Sequence, residues 1–274
     1  MLLFEINLLF LYFLFNRIID KKKPANNLLD PCNIDRVSET EIADAVEHIN
    51  YTIDSMICNL LHAVEDSKLH ICSDTPLKIN TSLPTELQSS IIPHAFWSLL
   101  KDVRQSHYMR ILVVDAVLHN LVSSMLHKHF FEGGVQNMLS ADDSEFYGQL
   151  ITDVKHVLKV GFPQSRDPEN SCWYEAVIYG EAQSLLDIFH HACKLTFMIH
   201  HNIVTCELMV TIAPAATAAA ETYCDGSSTP STDEGLGTYA FGLQRMHGSE
   251  QCVLIEPKKI TCALFTDTDN VLLH

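Results

Sequence analysis

HYMRILVVDAVLHNLVSSMLHKHFF, residues His107 to Phe131, runs into Glu132 and the pair Gly133-Gly134. Fifteen of its 25 residues are apolar, and it holds no Pro or Gly. The double glycine stands where a left-handed helix cap is expected, so the stretch predicts one long helix. At about 100° per residue, Val114, Val117, Leu118, Leu121, Val122 and Met125 share one continuous apolar face. Ile111, Leu112 and Val113 make its first turns apolar all round. A helix of this kind belongs in the middle of a bundle.

The neighbouring stretches read as helices that pack on it. Ser38 with Glu41 is a capping box, and Ile42, Val46, Ile49, Ile53, Met56, Ile57, Leu60, Leu61 and Val64 keep a 3.6-residue period up to Glu65-Asp66-Ser67. Residues 67–83 read as a loop. Pro84 and Glu86 open a shorter helix, interrupted at Pro93 and continuing through Phe96, Trp97, Leu99, Leu100 and Val103. After Gly134, Ser140 and Asp143 give a second capping signature for a helix over 146–160, closed by Gly161 and Pro163. Pro168 and Glu169 start a last long pattern that reaches Ile203, with Gly180 as a kink point.

The two ends differ in character. Leu2 to Phe15 is almost wholly apolar apart from Glu5 and Asn7, and Arg17 and Lys21-Lys22-Lys23 follow. Three readings stand side by side for residues 1–23: a weak signal-anchor with the lysines cytoplasmic, a core-docking or amphipathic helix, and a leader outside the folded unit. Residues 24–37 read as linker. Beyond Leu208 the chain is alanine-rich at 215–220, then linker-like at 226–237 (GSSTPSTDEGLG), with short apolar runs at Val253–Ile255 and Ala263–Phe265. The 226–237 stretch holds one large apolar residue, Leu236, and is expected to be mobile, with the apolar runs docking back on the helices. Thr229 and Ser231 look kinase-accessible there.

Composition excludes one class. The net charge is −16, and outside Lys21–Lys23 there is no Lys/Arg run, so the counterion-releasing surface that nucleic-acid binding needs is missing. Nine cysteines, an odd number with no C-x-x-C pair, fit a reducing compartment.

The capped helix with HINYTID, the central helix ending HKHFFEGG, and the C-terminal CVLIEPKK together resemble uncharacterised helical proteins of filamentous fungi. The resemblance covers most of residues 38–265. It implies an orphan intracellular helical fold and brings no catalytic residue with it.

Three constellations carry potential chemistry. Asp187, His190, His191, Cys193, His200, His201 and Glu207 gather histidines near the end of the last helix, but no two of these histidines have the i, i+3 or i, i+4 spacing of His ligands on one helix. Asp153/His156 and Asp187/His190 have the carboxylate-x-x-His spacing seen in di-iron bundles, at the frequency that so acidic a composition produces by accident. Asp115, His119, Ser123 and His127 follow one another at four-residue steps on the central helix. Groups stacked along a helix point outward in parallel, so this strip reads as the helix's polar face, with a buried polar network as the alternative. The sequon matches at Asn50 and Asn80 are of a kind that occurs often by chance. No residue is assigned as catalytic, cofactor-binding or metal-ligating, and no cofactor is implied.

The sequence therefore predicts an all-α protein, an irregular multi-helix bundle around one long central helix with a partly disordered C-terminal tail. Its parts are a leader (1–23), a linker (24–37), a helical domain (38–208) and a low-complexity docking tail (209–274). The function expected is non-enzymatic interaction or regulation in the cytoplasm. The alternatives are a histidine-rich metal-binding protein or enzyme, and a membrane-anchored helical protein using residues 2–19. A protein partner is expected and nucleic acid is not.

Overall fold

The computed structural model describes residues 35, 37–66, 94–100, 107–132, 143–162, 173–203, 205–213, 221–222, 229–230, 235–248, 250–261 and 265. The leader (1–23), most of the expected linker (24–37), the loop at 67–83 and the helix start at Pro84–Glu86 lie outside them.

Helix α1 (Glu39–Asp66) begins where the capping box places it. The Ser38 N–H donates to Glu41 Oε2 at 2.8 Å and the Glu41 N–H donates to Ser38 Oγ at 3.2 Å, so two otherwise orphaned helix-end donors are satisfied reciprocally. Its stripe Ile42, Val46, Ile49, Ile53, Ile57 and Leu60 is buried as the period requires. Helix α2 (His94–Leu100) contributes Phe96 and Trp97 to the core.

Helix α3 (His107–Leu126) is buried on more than one face: Val113, Val114, Ala116, Val117, Leu118, Leu121 and Val122 are all closed to solvent. It continues through a π-helical turn, His127–Phe131, closed by Glu132 N–H donating to His127 O at 2.9 Å. The wider turn sends adjacent aromatics to different partners. Phe130 meets Phe189 edge-on at 5.0 Å, while Phe131 meets Phe241 at 5.5 Å. By length and composition His107–Phe131 could cross a membrane, but 72% of its apolar window is buried inside the protein, as in the core helix of a globular fold.

Helix α4 (Asp143–Gly161) packs on α3. The expected single helix towards Ile203 is two, α5 (Trp173–Gly180) and α6 (Ala182–Asn202), because the chain breaks at Gly180-Glu181 rather than kinking. Helix α6 lies along α1.

The chain beyond α6 overturns the all-α expectation. Among the described residues, seven short strands succeed that helix: β1 (Glu207–Thr211), β2 (Glu221–Thr222), β3 (Thr229–Pro230), β4 (Gly235–Ala240), β5 (Gly242–His247), β6 (Glu250–Ile255) and β7 (Lys258–Thr261). They form two sheets, ordered β1-β5-β6 and β3-β2-β7-β4, antiparallel except for the β2/β7 pair. The fold is mixed α and β.

Part of the tail expected to be a mobile linker is strand: of residues 226–237, 229–230 and 235–237 are among the described residues. Gly235 to Gly237 lie in β4, and Tyr239, Phe241, Leu243 and Ile260 belong to the same buried cluster as Ile49, Val117 and Leu121. Strand β1 shows the period of two that makes this work, with Leu208 and Val210 inward and Met209 outward. Between β5 and β6, Gly248 holds φ +62°, a left-handed conformation that a tight hairpin needs and glycine adopts without strain. Of the two apolar runs expected to dock, Val253–Ile255 lies in β6. Phe265 of the other is half-buried against the core.

Candidate functional site

The four-residue steps of α3 meet the sheets and α1 instead of solvent. His119 and Ser123 are buried, at 1% and 0% exposure, and Asn120 beside them at 3%. The expected solvent-facing strip is the face on which the strands are seated.

His119 is the centre of this joint. Its Nδ1 lies 3.0 Å from the Asp115 carbonyl oxygen and 3.4 Å from Asp115 Oδ1. Its Nε2 faces Asp54 Oδ1 of α1 at 3.5 Å. That separation permits attraction, but Nε2 has no partner in hydrogen-bonding geometry. The Tyr239 ring of β4 stacks on the imidazole at 3.8 Å and 18°, and its hydroxyl donates to the same Asp54 oxygen at 2.9 Å. Three elements therefore converge on one ring.

The two carboxyls are driven apart. Contact with His119 holds Asp54 below the usual carboxylate range against the opposing effect of burial, and the Tyr239 hydrogen bond acts in the same direction. Burial pushes Asp115 up, with the nearby Asp54 charge adding to it and the His119 charge opposing it. Opposed shifts of this kind mark acid and base pairs in enzymes. Access is the deciding factor. Both ring nitrogens face carboxylates of the same chain, Tyr239 covers one ring face, and His119 is 1% exposed, whereas the Asp54 side chain beside it is 57% exposed.

Two asparagines perform the complementary task of receiving strand backbone. Asn50 Nδ2 donates to Phe241 O at 3.0 Å, and the Phe241 N–H donates to Asn50 Oδ1 at 2.9 Å. The amide thus imitates a neighbouring strand where β4 passes to β5. Asn50, noted as a sequon match, has its amide committed in this way, and Asn80 lies outside the described residues. Asn120 Oδ1 accepts from the Thr238 N–H at 3.0 Å. A Cβ on Gly237 would sit 2.2 Å from that oxygen, so only glycine lets β4 approach α3 so closely. Asn120 Nδ2 and Ser123 Oγ remain without a hydrogen-bond partner. His127, last of the strip, lies with Nε2 3.2 Å from Val210 O of β1, and burial holds its pKa down.

The other constellations are not assembled into sites. His191 packs edge-on against His48 of α1 at 4.4 Å and lies 6.0 Å from His190. Asp187 accepts from Gln183 at 2.9 Å, and His201 lies against Phe197 at 4.5 Å. Cys193 is half-buried, and burial lowers the pKa of His200. Among the described residues no group of three or more His, Cys, Asp or Glu could hold a metal. Asp153 accepts from Gln149 at 2.8 Å, while His156 packs on Trp97 at 5.4 Å. Thr229 lies in β3, paired with Thr222; Ser231 lies outside the described residues.

Sequence reasoning did not single out Asp54 or Tyr239, and it noted Asn50 only as a sequon. The available signal was the polar pair Asn50 and Asp54, four residues apart beside the Ile49/Ile53/Ile57 stripe. It matches Asp115 and His119 at the same spacing on α3.

No family model matches the chain, and neither a curated protein nor a solved structure does. No residue role comes to it from a relative.

Proposed function

We propose that this is a non-enzymatic interaction protein of the cytoplasm, and that its partner-binding surface is the outer face of the β1-β5-β6 sheet. One observation carries the reading. Met209 pairs across to Gln244 and Gln244 to Val253, so the three side chains form a row on one face. In that row Met209 and Val253 are 42% and 41% exposed. The opposite face holds Leu208, Val210 and Leu243 in the core, so the row points outward. Two exposed apolar side chains on one sheet face, with the exposed Glu207 beside Met209 on that face, are what a protein contact buries. The burial of His119 supports the non-enzymatic part, and the thiols of Cys58, Cys206 and Cys252, outside any disulfide, suit a reducing compartment.

The test is quantitative co-purification from cells with the wild type, Met209→Glu/Val253→Glu and His119→Asn. Both glutamates enter exposed positions and leave the fold intact, so partners should be lost with that double variant. Turnover of any substrate that tracks His119 overturns the reading.

A further inference from the structure

Strand β6 ends its sheet. In the order β1-β5-β6 it pairs only with β5 among the described residues, and four of its six residues, Glu250 to Val253, are exposed. In an antiparallel ladder every second residue turns its N–H and C=O away from its neighbour, so the outer edge of β6 presents a row of backbone donors and acceptors. Edge strands are ordinarily blunted by lysine, proline, an inward charge or a β-bulge. Strand β6, EQCVLI, has neither lysine nor proline, its one charge is Glu250 at the end, and its register shift falls at Leu254, leaving Glu250 to Val253 in regular pairing with β5. Nothing in its side chains discourages pairing with another strand.

Charge selects the kind of strand. Glu250 and Glu256 bracket β6, Glu207 stands across the sheet, and all three are exposed. The nearest cation on the same sheet, Arg245, is already engaged, with Nη1 at 3.0 Å from both carboxylate oxygens of Glu39. A second copy of this chain fits poorly. Antiparallel pairing of two β6 strands would bring Glu250 of one close to Glu256 of the other, and each chain carries −16.

We propose that the free edge of β6 takes one extended, cationic segment of a partner protein as a fourth strand. Val253 is its apolar anchor, and Glu250 and Glu256 meet Lys or Arg near its two ends. This rests on the interaction reading above and names the partner's chemistry. Affinity comes from the backbone ladder, and selectivity from alternate side chains of the incoming strand.

Fluorescence anisotropy with the full chain tests it. The probes are a library of peptides of about eight residues that alternate Lys or Arg with Val, Ile or Tyr. Each is paired with two twins N-methylated at alternate amides in the two opposite registers; both keep the charge, and one of them lacks every N–H that would face β6. The expected result is binding by the parent peptides, weakened about tenfold or more in one of the two twins and in Glu250→Lys/Glu256→Lys. Equal binding by the parent and both twins means charge attraction without strand addition and overturns the proposal. So does the absence of binding by the whole library, and so does a concentration-dependent dimer in ultracentrifugation that Val253→Glu abolishes. If the peptides fail while Met209→Glu/Val253→Glu still loses partners in cells, the interaction reading stands and only the cationic strand is wrong. Turnover that tracks His119 alongside normal peptide pairing would be the reverse.

Discussion

At the scale of single residues, the contact between Gly237 and Asn120 makes the sharpest test of how the sheet is seated. A methyl group on Gly237 would meet Asn120 Oδ1 at 2.2 Å and Phe96 Cε2 at 3.1 Å. Gly237→Ala should therefore destabilise the protein by about 1–3 kcal/mol, the usual effect of overpacking. Asn120→Ala alone leaves the Thr238 N–H unpaired and should lose about 1–3 kcal/mol. Because the second change vacates the space the first one needs, the double variant should lose clearly less than the sum, and urea unfolding of the four proteins reads that coupling. Strict additivity would mean that the two do not touch. Protonation gives a second test. Burial holds His127, His191 and His200 below the ordinary histidine value of 6.5, with His48 adding to the effect at His191 and His201 at His200. The unfolded chain then binds more protons than the folded one once pH drops below 6.5, so this stability is complete above that value and is lost as pH falls through the lowered folded pKa values. The raised pKa values of Asp115 and Asp153 act oppositely and only at lower pH, as the folded state takes up its protons before the unfolded one. Unfolding free energy should fall between about pH 7 and 5, and His127→Gln/His191→Gln should flatten the fall. A wild-type curve level across that window would show that these rings titrate as if unfolded.

At the scale of elements, α3 is the test of what organises the core. Leu121 is 1% exposed, and Leu121→Asp would bury an unpaired carboxylate at a penalty of several kcal/mol, against a typical total of about 5–15 kcal/mol. Loss of cooperative unfolding by circular dichroism is the expected outcome, and a soluble, cooperatively melting variant would remove α3 from the centre. The helices were legible because their signals are local. The Ser38/Glu41 box set the start of α1 to the residue, and Gly161 set the end of α4. Gly180 reads as a kink because glycine alone does not say whether a helix bends or stops. The strands escape a sequence reading for a different reason. None of the seven exceeds six residues, too few for a period of two to stand out. Gly235 and Gly237 give β4 the composition of a linker, although Gly237 is there so that β4 can touch α3. A hairpin signal does exist in His247-Gly248-Ser249-Glu250, but without recognised strands on either side it has nothing to join. The polar strip misleads in the same way: Asn50, His119 and Asn120 look like residues for water, but they serve backbone and side-chain groups of strands far away in sequence.

At the scale of the whole molecule, the strands complete the core that the helices begin. Removing them takes Tyr239, Phe241, Leu243 and Ile260 out of the buried cluster and leaves His119, Asn50 and Asn120 facing water. Residues 38–208 alone should therefore fail to give a soluble protein with a cooperative thermal transition, although the six described helices are present. If that fragment melts cooperatively, the sheets are an accessory layer and the bundle stands by itself. The reach of the joint also governs how the chain comes into being. Asn50 and its partner Phe241 are 191 positions apart, and Glu39 and Arg245 are 206 apart. At about 5–20 residues per second on a ribosome, α1 leaves the exit tunnel roughly 10–40 s before the strand it must clasp has been made. For that interval its apolar stripe has only other helices to lean on. The newborn chain is thus most open to aggregation, and most in need of a chaperone, until its last quarter has been translated.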